Sequence, residues 1–141
     1  MRPVEYAHFR LICQDSGLKS TSQRFIIYKS LVEMASHPTA DQLYDQVSAQ
    51  LPGLGRDTVY RTLSTLSTRG LARKLVMPGG ATHFDGNMAP HHHFLCEDCG
   101  AIHDLDWPAF DELSKPDEWE NIGQVRYVSA LIAGHCRFCR A

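Results

Sequence analysis

Four of the chain's five cysteines fall in two Cys-x-x-Cys pairs, Cys96/Cys99 and Cys136/Cys139. A two-residue spacer lets both sulfurs of a pair point to one side of a tight turn, so two pairs can present four thiolates to one tetrahedral ion. Thiolate softness and a closed four-sulfur shell favour zinc in a structural role, with no coordination position open for chemistry. The two ends of residues 100–135 must then meet at the ion, with room between them for a strand, a helix and a strand. The odd cysteine count argues against a disulfide framework. A thioredoxin-type pair would have to open a helix in a strand–helix–strand context, which this sequence lacks. Cys13, left over on a predicted helix, reads as a small core residue.

The 141 residues can hold one ordinary domain or two small ones. The net charge of −2 hides a split. Residues 1–78 carry ten Lys/Arg against six Asp/Glu, and residues 79–141 carry four against ten. A mildly basic front half fits phosphate contact, and an acidic, histidine-rich back half fits cations. No apolar run approaches a membrane span and no cleavable leader opens the chain, so a cytoplasmic protein is expected.

The front half reads as short helices. Val4, Ala7, Leu11 and Ile12 make one apolar stripe, ended by Gly17. Phe25, Tyr28, Leu31, Val32 and Ala35 make a second, entered through Thr21 or Ser22. Thr39 and Gln42 match a capping box ahead of a helix carrying Leu43, Val47 and Leu51, which Pro52 and Gly53 break. A further helix over residues 56–69 turns Val59, Leu63 and Leu66 inward and stops at Gly70. These last two helices form a helix-turn-helix candidate. Extended segments at 72–77 and 81–85 flank Pro78-Gly79-Gly80, a hairpin signal, and this order is that of a winged helix.

Beyond the hairpin, strands are expected at 91–96, 101–106 and 125–132, with a helix over 108–119 that Pro116 interrupts or ends. The chain is therefore α+β. Residues 1–85 form a winged helix-turn-helix domain, and residues 86–141 a small α/β domain holding the four-cysteine site. Side chains alternate along a strand, so in Pro90-His91-His92-His93 the first and third histidines share a face. With Asp85 and Asp104 they could converge on one divalent ion; a solvated histidine run is the competing reading. His8, His83, His103 and His135 read as surface or satisfied polar positions, and His37 as a loop residue.

The chain resembles the ferric uptake regulator family of bacterial metalloregulators. The resemblance is carried by His37-Pro38-Thr39-Ala40-Asp41, by Asp57-Thr58-Val59-Tyr60-Arg61-Thr62-Leu63, by the run from Pro90 to Gly100, and by Gly134-His135-Cys136-Arg137-Phe138-Cys139. It implies a homodimer of winged helices joined by a C-terminal dimerisation domain, with structural zinc at Cys96, Cys99, Cys136 and Cys139. It also implies a regulatory Fe(II) or Mn(II) held between the domains by His37, Asp85, His91, His93 and Asp104. Aspartate at both carboxylate positions is similar to the peroxide-sensing branch, where bound Fe(II) reacts with hydrogen peroxide and a ligand histidine, by position His37 or His91, is oxidised. The damaged site then releases its metal and DNA binding is lost, whereas Mn(II) supports DNA binding without the oxidation.

Two departures stand out. Arg61 occupies a position where peroxide sensors often carry Asn. A second His- and carboxylate-based site common in iron regulators is incomplete, with His92 for an acidic residue and Val128 for a histidine. The function implied is a metal-dependent repressor of transcription sensing hydrogen peroxide, with an iron- or manganese-responsive uptake regulator as the alternative. A hydrolytic metalloenzyme fits less well, because no general acid or base can be nominated beside the metal. The partner this implies is a double-stranded DNA operator, with the 56–69 helix expected in the major groove. Tyr60 suits thymine methyls and Arg61 guanine edges or a phosphate, while Lys19, Arg24, Arg56 and Thr58 suit phosphates.

Overall fold

In the computed structural model, residues 4–34 and 36–140 are described, so Ala35 of the second predicted stripe lies outside the described residues. The chain forms two compact units, Met1–Met88 and Ala89–Ala141.

The first unit runs α1 (Tyr6–Asp15), α2 (Ser22–Glu33), α3 (Ala40–Val47), α4 (Arg56–Thr68), β1 (Arg73–Val76) and β2 (Thr82–Asp85). Thr21 caps α2 by accepting the Arg24 amide at 3.1 Å. At α3 both halves of the capping box form: Gln42 Oε1 accepts the Thr39 amide at 2.9 Å, and Thr39 Oγ1 accepts the Gln42 amide at 3.2 Å. These bonds satisfy donors that a helix start leaves without intrahelical partners. Gly70, at φ 81°, ends α4 in the left-handed region that glycine enters without steric cost. Strands β1 and β2 pair antiparallel, with Val76 opposite Thr82 and Arg73 opposite Asp85.

One continuous core fills this unit. Ile27 and Leu31 of α2, Leu43 and Val47 of α3, Val59, Leu63 and Leu66 of α4, and Phe84 of β2 are all buried in it. From α1 the buried residues are Phe9 and Cys13, not the expected stripe, whose Leu11 is 61% exposed. The reason is aromatic packing. Phe9 meets Tyr28 and Phe25 at centroid distances of 5.1 and 5.6 Å, which selects the Phe9/Cys13 face over the neighbouring one.

The second unit holds a three-stranded sheet in the order β4-β3-β5, from β3 (His92–Cys96), β4 (Ile102–Leu105) and β5 (Leu131–Gly134). Strand β4 runs antiparallel to β3, with His93 opposite Asp104. Strand β5 runs parallel to β3, with Cys96 opposite Gly134.

Two expectations fail here. The helix expected over 108–119 shrinks to α5 (Pro108–Asp111), followed by a 3-10 turn at Asp117–Asn121. Its side chains are almost all exposed, and a short helix without a face to bury is marginal; Pro116 also bars helical conformation just before it. The final strand begins at Leu131 rather than 125, because among the described residues the ladder to β3 starts only where Leu131 meets His93.

Candidate metal centres and nucleic-acid surface

Registry within the second unit assembles the cysteines. Cys96 ends β3 beside Gly134 of β5, and the chain turns from there into Cys136. The Cys136 amide donates to Cys96 Sγ at 3.3 Å, while the Cys139 and Arg140 amides close a turn on the Cys136 carbonyl at 3.0 Å. Cys96, Cys99, Cys136 and Cys139 bring their sulfurs within 4.8 Å of one another. A tetrahedron with metal–sulfur bonds of about 2.3 Å has sulfur–sulfur edges of about 3.8 Å. Cys99 and Cys136 lie 3.9 Å apart. The four donors thus fit a tetrahedral ion.

Proton affinities in the cluster point the same way. The Cys96 thiol is brought down to about 6, first by the backbone N–H of Cys99 and then by that of Cys136. Cys139 is pushed up to about 12, mainly through its hydrogen bond with the Cys136 side chain. The same cluster thus favours the thiolate at Cys96 and the thiol at Cys139, and a bound cation would favour the thiolate at both.

The remaining candidate ligands form one group in each unit. In the first unit His37 and Asp85 are both buried, and His37 Nε2 lies 3.5 Å from Asp85 Oδ2. Asp85 Oδ1 also accepts the Asn87 amide at 2.8 Å. Gly86, next in sequence, has no room for a side chain: an added Cβ would lie 2.9 Å from Val32 Cγ2 and 3.0 Å from Val32 Cα. His37 has φ 53°, in the left-handed region, and no other non-glycine described residue has a positive φ. Such backbone costs about 1–3 kcal/mol and persists only when its surroundings hold it.

In the second unit His91 and His93 are buried, with rings 4.6 Å apart. Their Nε2 atoms lie 3.3 and 3.6 Å from Asp104 Oδ1, Asp104 standing opposite His93 on β4. His91 Nδ1 donates to the Ala89 carbonyl at 2.7 Å, which leaves Nε2 for a ligand. His92 turns away from both neighbours. Its Nδ1 accepts the Ala130 amide at 2.9 Å, its Nε2 donates to Asp111 at 2.8 Å, and Phe110 packs edge-on against the ring. Imidazole and carboxylate donors of this kind suit borderline to hard divalent ions.

The exposed face of α4 carries the residues expected to meet DNA. Val59, Leu63 and Leu66 are buried, which leaves Tyr60, 47% exposed, and Arg61 facing outward. Beside them runs an open groove lined by Lys19, Thr21, Gln23, Arg24, Thr58 and Arg61. Arg24 is braced by a 2.8 Å bond to the Lys19 carbonyl. Arg56 is engaged otherwise: it pairs with Asp41 at 2.9 Å and lies 4.6 Å above the Tyr44 ring. Gln23 was not singled out in the sequence; only its place at the start of α2, beside the expected phosphate contacts, could have marked it.

A family model described as the ferric uptake regulator family matches residues 15–123. The chain belongs to the ferric uptake regulator family. A peroxide-responsive repressor from Staphylococcus epidermidis is 31% identical over 125 residues, covering 89% of this chain and 83% of that protein. Among solved structures, the Vibrio cholerae ferric uptake regulator superposes with a TM-score of 0.72 at 25% identity, over 91% of this chain and 99% of that one. The Campylobacter jejuni peroxide stress regulator gives 0.71 at 25% identity, over 94% and 97%. Like other members of the ferric uptake regulator family, this protein is a transcription regulator and not an enzyme. Among the described residues no helix is long and apolar enough to cross a membrane.

Proposed function

We propose that this family member is a zinc-stapled repressor that binds operator DNA as a homodimer in the cytoplasm and is released from it by hydrogen peroxide. Cys96, Cys99, Cys136 and Cys139 hold structural zinc, and His37, Asp85, His91, His93 and Asp104 together hold one regulatory Fe(II) or Mn(II). The observation that carries this reading is the presence of two chemically distinct ligand sets: four clustered thiols, and imidazoles paired with aspartates in each unit. Thiols of that kind favour a permanent ion, whereas mixed nitrogen and oxygen donors suit a metal that comes and goes.

Ligands drawn from both units make DNA affinity depend on metal. The ion favours one arrangement by its differential affinity for it, and couplings of about 1–3 kcal/mol correspond to roughly 5–150-fold in DNA affinity. His37 and His91 would hold Fe(II) that, when bound, would supply the reducing chemistry that activates hydrogen peroxide, and these two imidazoles are the candidates for oxidation. Tyr60 and Arg61 read bases from α4, and Lys19, Arg24 and Thr58 hold phosphates. For dimer formation the support is the apolar surface that the second unit leaves open, including Leu113, Ile122, Val125 and Tyr127.

The test is operator binding by zinc-loaded protein given Fe(II) or Mn(II) without oxygen, before and after hydrogen peroxide. Loss of binding in the Fe(II) sample alone, with an oxygen atom added at His37 or His91, is the expected result. Binding that survives peroxide with both metals makes the protein an iron- or manganese-responsive regulator instead.

A further inference from the structure

His37 combines two backbone liabilities. It is a non-glycine residue in the left-handed region, where its Cβ crowds the following carbonyl. It also precedes Pro38, whose ring pushes the preceding residue towards extended conformations. Something outside the loop must hold it there.

The holding groups come from β2. The Phe84 amide donates to the Pro38 carbonyl at 2.8 Å. One residue earlier in both segments, the His83 ring meets the His37 carbonyl, Nδ1 to oxygen 2.7 Å. A carbonyl oxygen can only accept, so Nδ1 of His83 carries the hydrogen. Alternation along β2 puts His83 and Asp85 on one side of the strand and Phe84, fully buried in the core, on the other. One strand face therefore grips one residue twice: Asp85 faces the His37 imidazole, and His83 holds the His37 carbonyl.

We infer that His83 is a positioning residue: by donating from Nδ1 to the His37 carbonyl it keeps His37 in its left-handed conformation and so aims that imidazole for metal binding. This rests on His37 being a regulatory ligand. The Phe84–Pro38 bond already ties the loop to the strand, so the His83 bond acts on the residue that carries the unfavourable φ. Without it, His37 relaxes towards extended backbone and its Cβ direction changes.

Two variants separate donor from shape. His83→Asn keeps an N–H donor close to the position of Nδ1, and His83→Phe keeps a ring without one. In zinc-loaded protein, Mn(II) affinity is read from the paramagnetic resonance signal of the free ion, with His37→Ala alongside. His83→Phe should weaken Mn(II) binding roughly tenfold or more, as loss of a residue supporting a ligand does, and His83→Asn should restore most of it. Nitrogen-15 spectra of the zinc-loaded protein without Mn(II) should show His83 as the Nδ1–H tautomer.

An Nε2–H tautomer overturns the inference. So does wild-type Mn(II) affinity in His83→Phe while His37→Ala loses it, and so does equal weakening in His83→Phe and His83→Asn. If His37→Ala itself binds Mn(II) like wild type, the regulatory-site reading falls first and the role of His83 with it.

Discussion

Met1–Met88 closes over a single core of fifteen side chains, from Phe9 on α1 to Phe84 on β2. In Ala89–Ala141 the buried described residues are Leu95, Cys96, Ile102, Cys136 and the three consecutive histidines. From Asp106 to Leu131 no residue is buried, and all but Phe110, Trp119 and Ala130 are exposed. The first unit can stabilise itself by apolar burial. The second has too few buried apolar groups for its length, and small domains in that position depend on a metal, a second chain or both. The contrast teaches that the two units of the protein are held together by different physics. Their responses to substitution should differ accordingly.

The largest effect should follow loss of the zinc site. Cys96→Ser leaves three sulfurs around a cation that contributes on the order of 10 kcal/mol to folding in comparable sites. Amide exchange should become rapid throughout β3, β4 and β5, while the core of the first unit stays protected. Retained protection in those strands would end the comparison, because it would mean that the second unit folds without its ion. Acidity tests the same point. With Cys139 pushed up to about 12, the metal-free cluster still holds a proton there near neutral pH, and zinc binding must release it. Zinc affinity should therefore rise with pH. Its pH dependence should steepen below about 6, where Cys96 also becomes protonated. A chelator competition at several pH values reads this directly.

Next in size is Leu63→Ala in the first unit. Leu63 is fully buried among α4's inward residues, and truncating such a leucine costs about 2–5 kcal/mol. The unfolding midpoint of Met1–Met88 should fall, with zinc content and protection of β3–β5 unchanged. A parallel loss in the second unit would show that the two are not energetically separate.

The same contrast explains what could be read from the residues alone. Local rules with short spans were legible: the cysteine spacing, the Thr39/Gln42 capping box, the glycine stop at Gly70, and the alternation that sets His92 apart from His91 and His93. What escaped depended on distant partners. The face of α1 is chosen by Tyr28 and Phe25, which a helical repeat in α1 cannot know. The overlong 108–119 helix and the early start of the last strand come from apolar patterns that find little cover among the described residues. His37 reads as an ordinary loop residue, and became a candidate ligand only through family resemblance. Its left-handed backbone and the His83 bond link positions 46 residues apart, so no local pattern announces them.

The smallest effect is the most discriminating. Thr39→Ala removes the hydroxyl that accepts the Gln42 amide, and losing such a cap costs about 1 kcal/mol. In a unit held by a continuous core this loss should stay local. Exchange should quicken over the first turn of α3, and the midpoint of the first unit should shift by a few degrees at most. The comparable change in the second unit is His135→Ala, which removes a 2.6 Å ion pair with Asp98 beside the cysteines. Both partners are about half exposed, and solvent and salt screen a surface pair of that kind, so it contributes little. If apolar burial holds one unit and the ion holds the other, His135→Ala should leave zinc affinity and the protection of β3–β5 almost untouched. A large loss there would move part of the second unit's stability from the ion to the charges around it, and the line drawn between the two units would have to be redrawn.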